Sequence, residues 1–426
     1  MKALVIAPQP FFSARGTPFS VYYRTLLMSE AGVSIDLLTY GQGQEVEMPG
    51  VRVIRTPALG WLGTVRVGPS ALKAVHDVFI AIWALALLLR NRYDFVHAHE
   101  ESVFFARLLK PVFRFQLIYD MHSSLPQQLE NFQYTSSRLL IRLFERLEMA
   151  CITGADAVIT ICPELAQIAV ERMPDPTRHF LIENSVLDEV RLKQRSQSVP
   201  ENGAMEPIVP GDRPLILYAG SFEPYQGLDL LLAAFAQLRT RRPDAFLVMM
   251  GGLPAQVQRL NAVAVELGLE GNCVVTGRVP QQVARRFTQR ATTLVSPRDR
   301  GCNTPLKVYE QLASGIPLVA TRIRSHTQVL NDEVCFLVEP TVEGLAEGMR
   351  ESLQDELRRR RVVAAALSLY QEKYSRTAYE RSVRSVLALM ERGSRAPRPR
   401  LVLDYTARTA AASPVVRQES AAASSR

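Results

Sequence analysis

The sequence predicts an α/β protein of two doubly wound parallel-sheet domains facing a cleft, and three observations predict it. Short apolar runs rich in β-branched residues alternate with stretches of helical period, from the N-terminus to about residue 353. The alternation is interrupted by a polar stretch at 193–213 that carries Pro200, Gly203, Pro207, Pro210 and Gly211. The halves on either side are similar in size and repeat the same strand–loop–helix unit. The expected organisation is a first domain over 1–192, a linker over 193–213 and a second domain over 214–375. A helix over 376–391 is expected to pack back on the first domain, and a disordered basic tail over 392–426 to follow.

In the first half the apolar runs place strands at 2–7, 34–38, 51–55, 95–97, 116–119, 157–161 and 180–182. Helices read at 19–30, 70–91, 138–153 and 163–172, the last opened by Pro163. In the second half strands read at 214–219, 245–249, 273–276, 292–295 and 317–320. Helices read at 227–240, 254–267, 281–290, 305–314 and 342–353, with two more at 356–372 and 376–391. Open parallel sheets bind ligands at the carboxyl ends of their strands, so both halves are expected to offer that edge to one cleft.

Composition narrows the function classes. The 426 residues are 47% hydrophobic and 22% charged, ordinary for a globular protein. Net charge is +8, but the tail from Arg392 holds seven arginines against Asp404 and Glu419, a net of +5. The remaining body carries only +3, which argues against nucleic acid as a partner. Five scattered cysteines with no C-x-x-C pair signal neither a disulfide framework nor a zinc site, and a reducing cytoplasm is the expected location. The N-terminus enters a strand at once and reads as no secretory leader. The apolar run 78–89 is too short to span a bilayer. It reads as a core helix, with an interfacial membrane role for the segment around Trp83, Arg90 and Arg92 as the alternative.

The stretch 292–320 carries the most chemistry. A strand ends in Ser296-Pro297, and Thr304 followed by Pro305 reads as an N-cap and first helical residue. Leu306, Tyr309, Glu310 and Ala313 are expected on one apolar face, and Gly315 with Pro317 stops the helix. A helix start after a parallel strand binds anions, diphosphates above all. Glu310 on an apolar face needs a partner, which either a neighbouring arginine or a ribose diol would supply. Lys307 in the first turn opposes the helix dipole unless a phosphate lies nearby.

The segment VSPRDRGCNTPLKVYEQLASGIPLVATRI resembles the donor-site segment of family 4 retaining glycosyltransferases, which have the GT-B fold. Other segments agree in order: 8–16 resembles the glycine-bearing first loop, DFVHAH at 94–99 the D-h-h-H-x-H strand, and DMHSSLPQ at 120–127 the histidine loop. IENSVLD at 182–188 resembles h-x-N-G-V-D, and LYAGSFEPYQGLDLLLAAF at 217–235 the opening of the second domain. The resemblance implies transfer of a sugar from a nucleotide diphosphate sugar to a hydroxyl acceptor, glycan or lipid-linked, with retention and without a metal or other cofactor. It also implies two Rossmann-like domains closing on the donor. By position, Glu310 would hold the ribose and His122 would lie beside the transferring sugar. Gly16 would let the first loop approach the phosphate. Cys302, Asn303, Thr304, Pro305 and Leu306 would face the donor. The absence of a D-x-D motif fits a diphosphate neutralised by helix ends and basic side chains.

Three positions depart from the family pattern. Cys302 stands where the first of two glutamates is usual, and Ser221 and Gln226 where Arg and Lys are usual. Lys307 is expected to compensate, helped by Arg278 or Arg298. The catalytic candidates are therefore His122, Lys307 and Glu310. His97 and His99 read as structural, because no third metal ligand is evident. The acceptor is expected in the first domain, near 15–17, 100–102 and 123–127, and a lipid-linked acceptor would bring peripheral contact with the inner membrane face. The rival readings are a catalytically silent relative serving as a nucleotide- or glycan-binding subunit, and a sugar-nucleotide epimerase, for which no carboxylate pair is evident.

Overall fold

A computed structural model describes residues 1–13, 16–58, 71–124, 138–184, 211–301 and 304–394. The readings made for Arg15, residues 125–127, Cys302, Asn303, linker residues 193–210 and the tail beyond 394 lie outside these residues.

The first sheet contains β1 (Lys2–Ala7), β2 (Ser34–Thr39), β3 (Val51–Arg55), β4 (Phe95–His99), β5 (Gln116–Met121), β6 (Ala157–Thr160) and β7 (His179–Leu181). All pair in parallel, in the order β3-β2-β1-β4-β5-β6-β7. The strands are apolar on both faces because helices cover both. Helix α1 (Gly16–Glu30) lies on one face. Helices α2 (Ala71–Arg90), α3 (Ser102–Phe113), α4 (Arg138–Gly154) and α5 (Pro163–Arg172) lie on the other.

The second sheet contains β8 (Leu215–Ala219), β9 (Phe246–Met250), β10 (Cys273–Gly277), β11 (Thr293–Ser296), β12 (Leu318–Thr321) and β13 (Phe336–Val338). Its order, β10-β9-β8-β11-β12-β13, repeats the first, again wholly parallel. Around it pack α6 (Leu228–Arg239), α7 (Pro254–Glu266), α8 (Gln281–Arg290), α9 (Leu306–Ala313), α10 (Arg324–Thr327), α11 (Val342–Gln354) and α12 (Glu356–Leu369). Helix α13 (Arg376–Ser394) buries Tyr379, Val383, Val386, Leu387 and Met390 in the first domain's core, and Arg376 bonds Glu30 at 2.6 Å.

In each sheet the order reverses beside the first strand, between β1 and β4 and between β8 and β11. At these switch points the loops part and leave a crevice, which is where ligands are held. Three elements were not foreseen, among them the four-residue α10, too short to show a helical period. Helix α3 contains Pro111, which in a sequence reads as a stop. Pro111 is exposed, so the backbone bond it forgoes faces water. Strand β13 has only three residues and gives no periodicity to read.

Candidate active site

The second domain's switch point is built by the loops after β8 and β11. Glycines let these loops crowd. A Cβ on Gly227 (φ 68°) would stand 2.0 Å from the Pro297 carbonyl oxygen, and one on Gly251 (φ 133°) 1.8 Å from that of Gly220. Into this crowded place α9 points its N-terminus. The helix begins at Leu306 with Pro305 as N-cap, one residue later than the sequence suggested, and no side chain caps it. Thr304 thus precedes the cap instead of forming it, and among the described residues no side chain accepts from the first amides.

Lys307 is the distinctive group. Its ammonium sits 4.1 Å from the centre of the Tyr218 ring and 3.4 Å from Oε1 of Gln226. Gln226 in turn donates to Ser221 Oγ at 3.3 Å, and Tyr218 donates to the Ser221 carbonyl at 2.7 Å. Burial first, then the nearby Arg298, push the Lys307 pKa down to about 7. No carboxylate pairs with it among the described residues. Arg298 lies with its guanidinium 4.8 Å from the Tyr225 ring. Both cations press on His326, which is bonded to Ser296 Oγ at 2.9 Å and to the Thr321 carbonyl at 2.8 Å. Burial, aided by Lys307 and Arg298, lowers His326 to about 4 and keeps it neutral. Ser221, Gln226, Arg298 and Lys307 are therefore one cluster. Arg278 is elsewhere, with Gly252, Leu253, Pro254 and Gly277 around an adjoining cleft of about 650 Å³.

Glu310 corrects an expectation. The buried face of α9 is Val308, Tyr309, Gln311 and Leu312, and Glu310 is exposed, so the argument from a carboxylate on an apolar face does not hold. Nor does it stand in bulk water: desolvation raises its pKa, with Arg285 opposing.

The first domain brings its own helix start to the same place. Gly16 opens α1, and a Cβ there would lie 3.9 Å from Cδ1 of Leu306. Tyr309 donates to Glu183 Oε1 at 3.1 Å, which ties α9 to the residue after Ile182. Burial pushes the Glu183 carboxyl up to about 7, against its bonds from Tyr309 and Tyr374. Neither partner was foreseen; Glu183 beside Asn184 was the available signal.

Beyond Gly16 lies a buried polar network. Arg24 and Asp120, both wholly buried, form an ion pair, and His97 Nε2 lies 2.9 Å from Asp120 Oδ2. His99 Nδ1 meets His122 Nε2 at 3.0 Å. Burial would raise Asp120, but Arg24 and the histidines outweigh it and hold it well below the carboxylate range. Burial lowers His99 and His122 despite Asp120, so both rings are neutral. His122 is only 3% exposed and its Nε2 is occupied; Nδ1 has no hydrogen-bond partner among the described residues. Asp120 gives His97 and His99 a third potential ligand within 4.8 Å, contrary to the sequence reading. Its spacing to His97 is that of a hydrogen bond, and Arg24 already holds the carboxylate. At the end of β4, Lys73 bonds Glu101 at 2.5 Å and lies 3.5 Å from Glu100, while burial pushes Glu101 up to about 8.

Residues 205–368 match the glycosyl transferases group 1 family, and residues 26–185 match the glycosyl transferase 4-like domain. The chain belongs to this family of glycosyltransferases and has the GT-B fold. It is 24% identical to alpha-D-kanosaminyltransferase of Streptomyces kanamyceticus over 89% of this chain and 96% of that protein. It is 30% identical to a GDP-mannose-dependent alpha-(1-6)-phosphatidylinositol monomannoside mannosyltransferase of Mycolicibacterium smegmatis, over 34% of this chain and 40% of the other. Sucrose-phosphate synthase from Thermosynechococcus elongatus superposes with a TM-score of 0.70 at 18% identity, covering 92% of this chain and all of that one.

Proposed function

We propose that the protein transfers a sugar, with retention, from a nucleoside diphosphate sugar to a hydroxyl acceptor, using side chains and helix ends instead of a metal to hold the diphosphate. One observation carries this: Lys307 is a desolvated cation with no carboxylate partner among the described residues, seated at the start of a helix whose N-cap residue, Pro305, offers no side-chain acceptor. Such a group is costly alone and favourable beside a phosphate, whose charge would restore its ordinary pKa. Arg298 and the first amides of α9 would share the load, and Glu310, accessible on α9, would accept from the ribose. The departures at Ser221 and Gln226 fit this reading, since Gln226 bonds Lys307 and Ser221 bonds Gln226. His122 Nδ1, which has no hydrogen-bond partner among the described residues, would meet a sugar hydroxyl. The dependence of the mycolicibacterial relative on GDP-mannose favours a nucleotide sugar as donor.

Incubation with UDP-, GDP- and ADP-sugars and mixed hydroxyl acceptors, followed by NMR of the product, tests the reaction. The expected product keeps the donor's anomeric configuration. An inverted product, or none with any donor, would overturn the proposal.

A further inference from the structure

The outer faces of α2, α3 and α4 are apolar. On α2, Val75, Val78, Ile82, Leu85 and Leu89 recur at spacings of three and four, so they share one stripe, and they are 39–70% exposed. Helix α3, packed beside α2, adds Leu108 and Val112, each 69% exposed, and α4, packed beside α3, adds Leu143 at 51%. Residues Leu72–Arg90 have a mean hydropathy of 1.9, long and apolar enough to cross a bilayer by composition. The opposite edge of α2 nevertheless buries Ile80, Ala84 and Leu88 on the sheet, so the helix belongs to the domain wall. Trp83 is partly buried against that core and lies off the stripe.

Apolar patches of this extent on neighbouring helices mark an interaction surface. Charge selects the occupant. The exposed ionised residues of these helices and the turn after α2 are Arg90, Arg92, Arg107, Arg142 and Arg146, against Glu145 alone among the described residues. A second copy docked on the same face would oppose arginines with arginines, and the +5 tail would meet the same repulsion. An anionic lipid surface complements both the apolar stripe and its basic rim. We propose that α2, α3 and α4 form a membrane-docking face that lies flat on an anionic bilayer. Lys73 in the first turn of α2 bonds Glu100 and Glu101 at the carboxyl end of β4, so the stripe runs up to the acceptor side of the cleft. Docking there would present the cleft to acceptors anchored in the lipid, a consequence that rests on the proposed reaction.

Flotation of the full chain with vesicles of phosphatidylcholine and phosphatidylglycerol, and of phosphatidylcholine alone, tests docking without using the reaction. The protein is expected to float with the anionic vesicles and to bind them on the order of tenfold more weakly at raised salt. The Ile82→Glu/Leu89→Glu variant should stay at the bottom while keeping its circular dichroism. Leu357→Glu, at an 83% exposed site in the second domain, should float as before. Failure to float with anionic vesicles, or flotation untouched by the double substitution, would overturn the proposal. So would a dimer in light scattering that the double substitution splits. Sugar transfer to a free acceptor should be unaffected, so loss of docking and failure of the proposed reaction are separable.

Discussion

Arg24, wholly buried, and Lys307, half-buried and desolvated, are cations set one in each domain, and they are solved in opposite ways. Arg24 has Asp120, the Ile182 carbonyl and Asn184 around it. Lys307 has an aromatic face and an amide oxygen, neither of which carries charge. The paired cation holds the first domain's histidines in place. The other, with no carboxylate partner among the described residues, is the one we propose an anion completes. A buried charge therefore reads as structure when its partner is in the fold and as a binding site when it is not.

The contrast breaks most visibly at Asp120. Asp120→Asn leaves Arg24 buried without its counter-charge, and denaturant unfolding should show a loss of about 3–5 kcal/mol. A loss below about 1 kcal/mol would mean the pair is not what organises that core. Lys307→Met should do the reverse in the ligand-free protein. Removing a desolvated cation without a carboxylate partner among the described residues should raise stability by about 1 kcal/mol, seen as a higher Tm. The same variant should flatten the pH dependence. With its folded pKa at about 7 and an ordinary lysine value of ~10.4, Lys307 is protonated in the unfolded chain and largely neutral in the fold between those values. Its contribution to stability therefore rises with pH across that window.

The smallest effect is expected at Glu183, where the domains meet. Its carboxyl titrates near 7 in the fold, above its ordinary value, so the folded protein holds the extra proton. Stability from this group is full at low pH and lost as pH rises toward and through about 7. Glu183→Gln should remove that pH dependence while leaving stability at low pH, where both side chains are uncharged, within about 1 kcal/mol. Unfolding curves at several pH values would show it.

Much of the fold was legible because its signals are local. Strand β1 and helix α8 are bounded as their apolar runs and flanking turn residues suggest, and β8 to β12 lie within a residue of their sequence assignments. Helix α3 was hidden by Pro111, whose cost depends on whether its side of the helix meets water, which is a tertiary fact. At the site, Lys307 stood out because its charge opposes the helix dipole. Glu310 was assigned the wrong face, because an eight-residue helix admits more than one apolar stripe and only packing chooses between them. The contact of Tyr309 with Glu183 spans 126 positions in the chain, and that of Arg24 with Asp120 spans 96. Periodicity carries no information about pairs so far apart.

The most direct test is a calorimetric titration of the intact protein with UDP, GDP and ADP at about pH 8, repeated in buffers of different ionisation enthalpy. With Lys307 at about 7 in the free protein, a bound diphosphate should raise its pKa, so binding should take up a proton. The Lys307→Met variant should lose the proton uptake and bind roughly tenfold to a hundredfold more weakly, the loss of a charged hydrogen bond worth ~1.5–3 kcal/mol. Binding of equal strength in both proteins, with no proton taken up, would contradict the account.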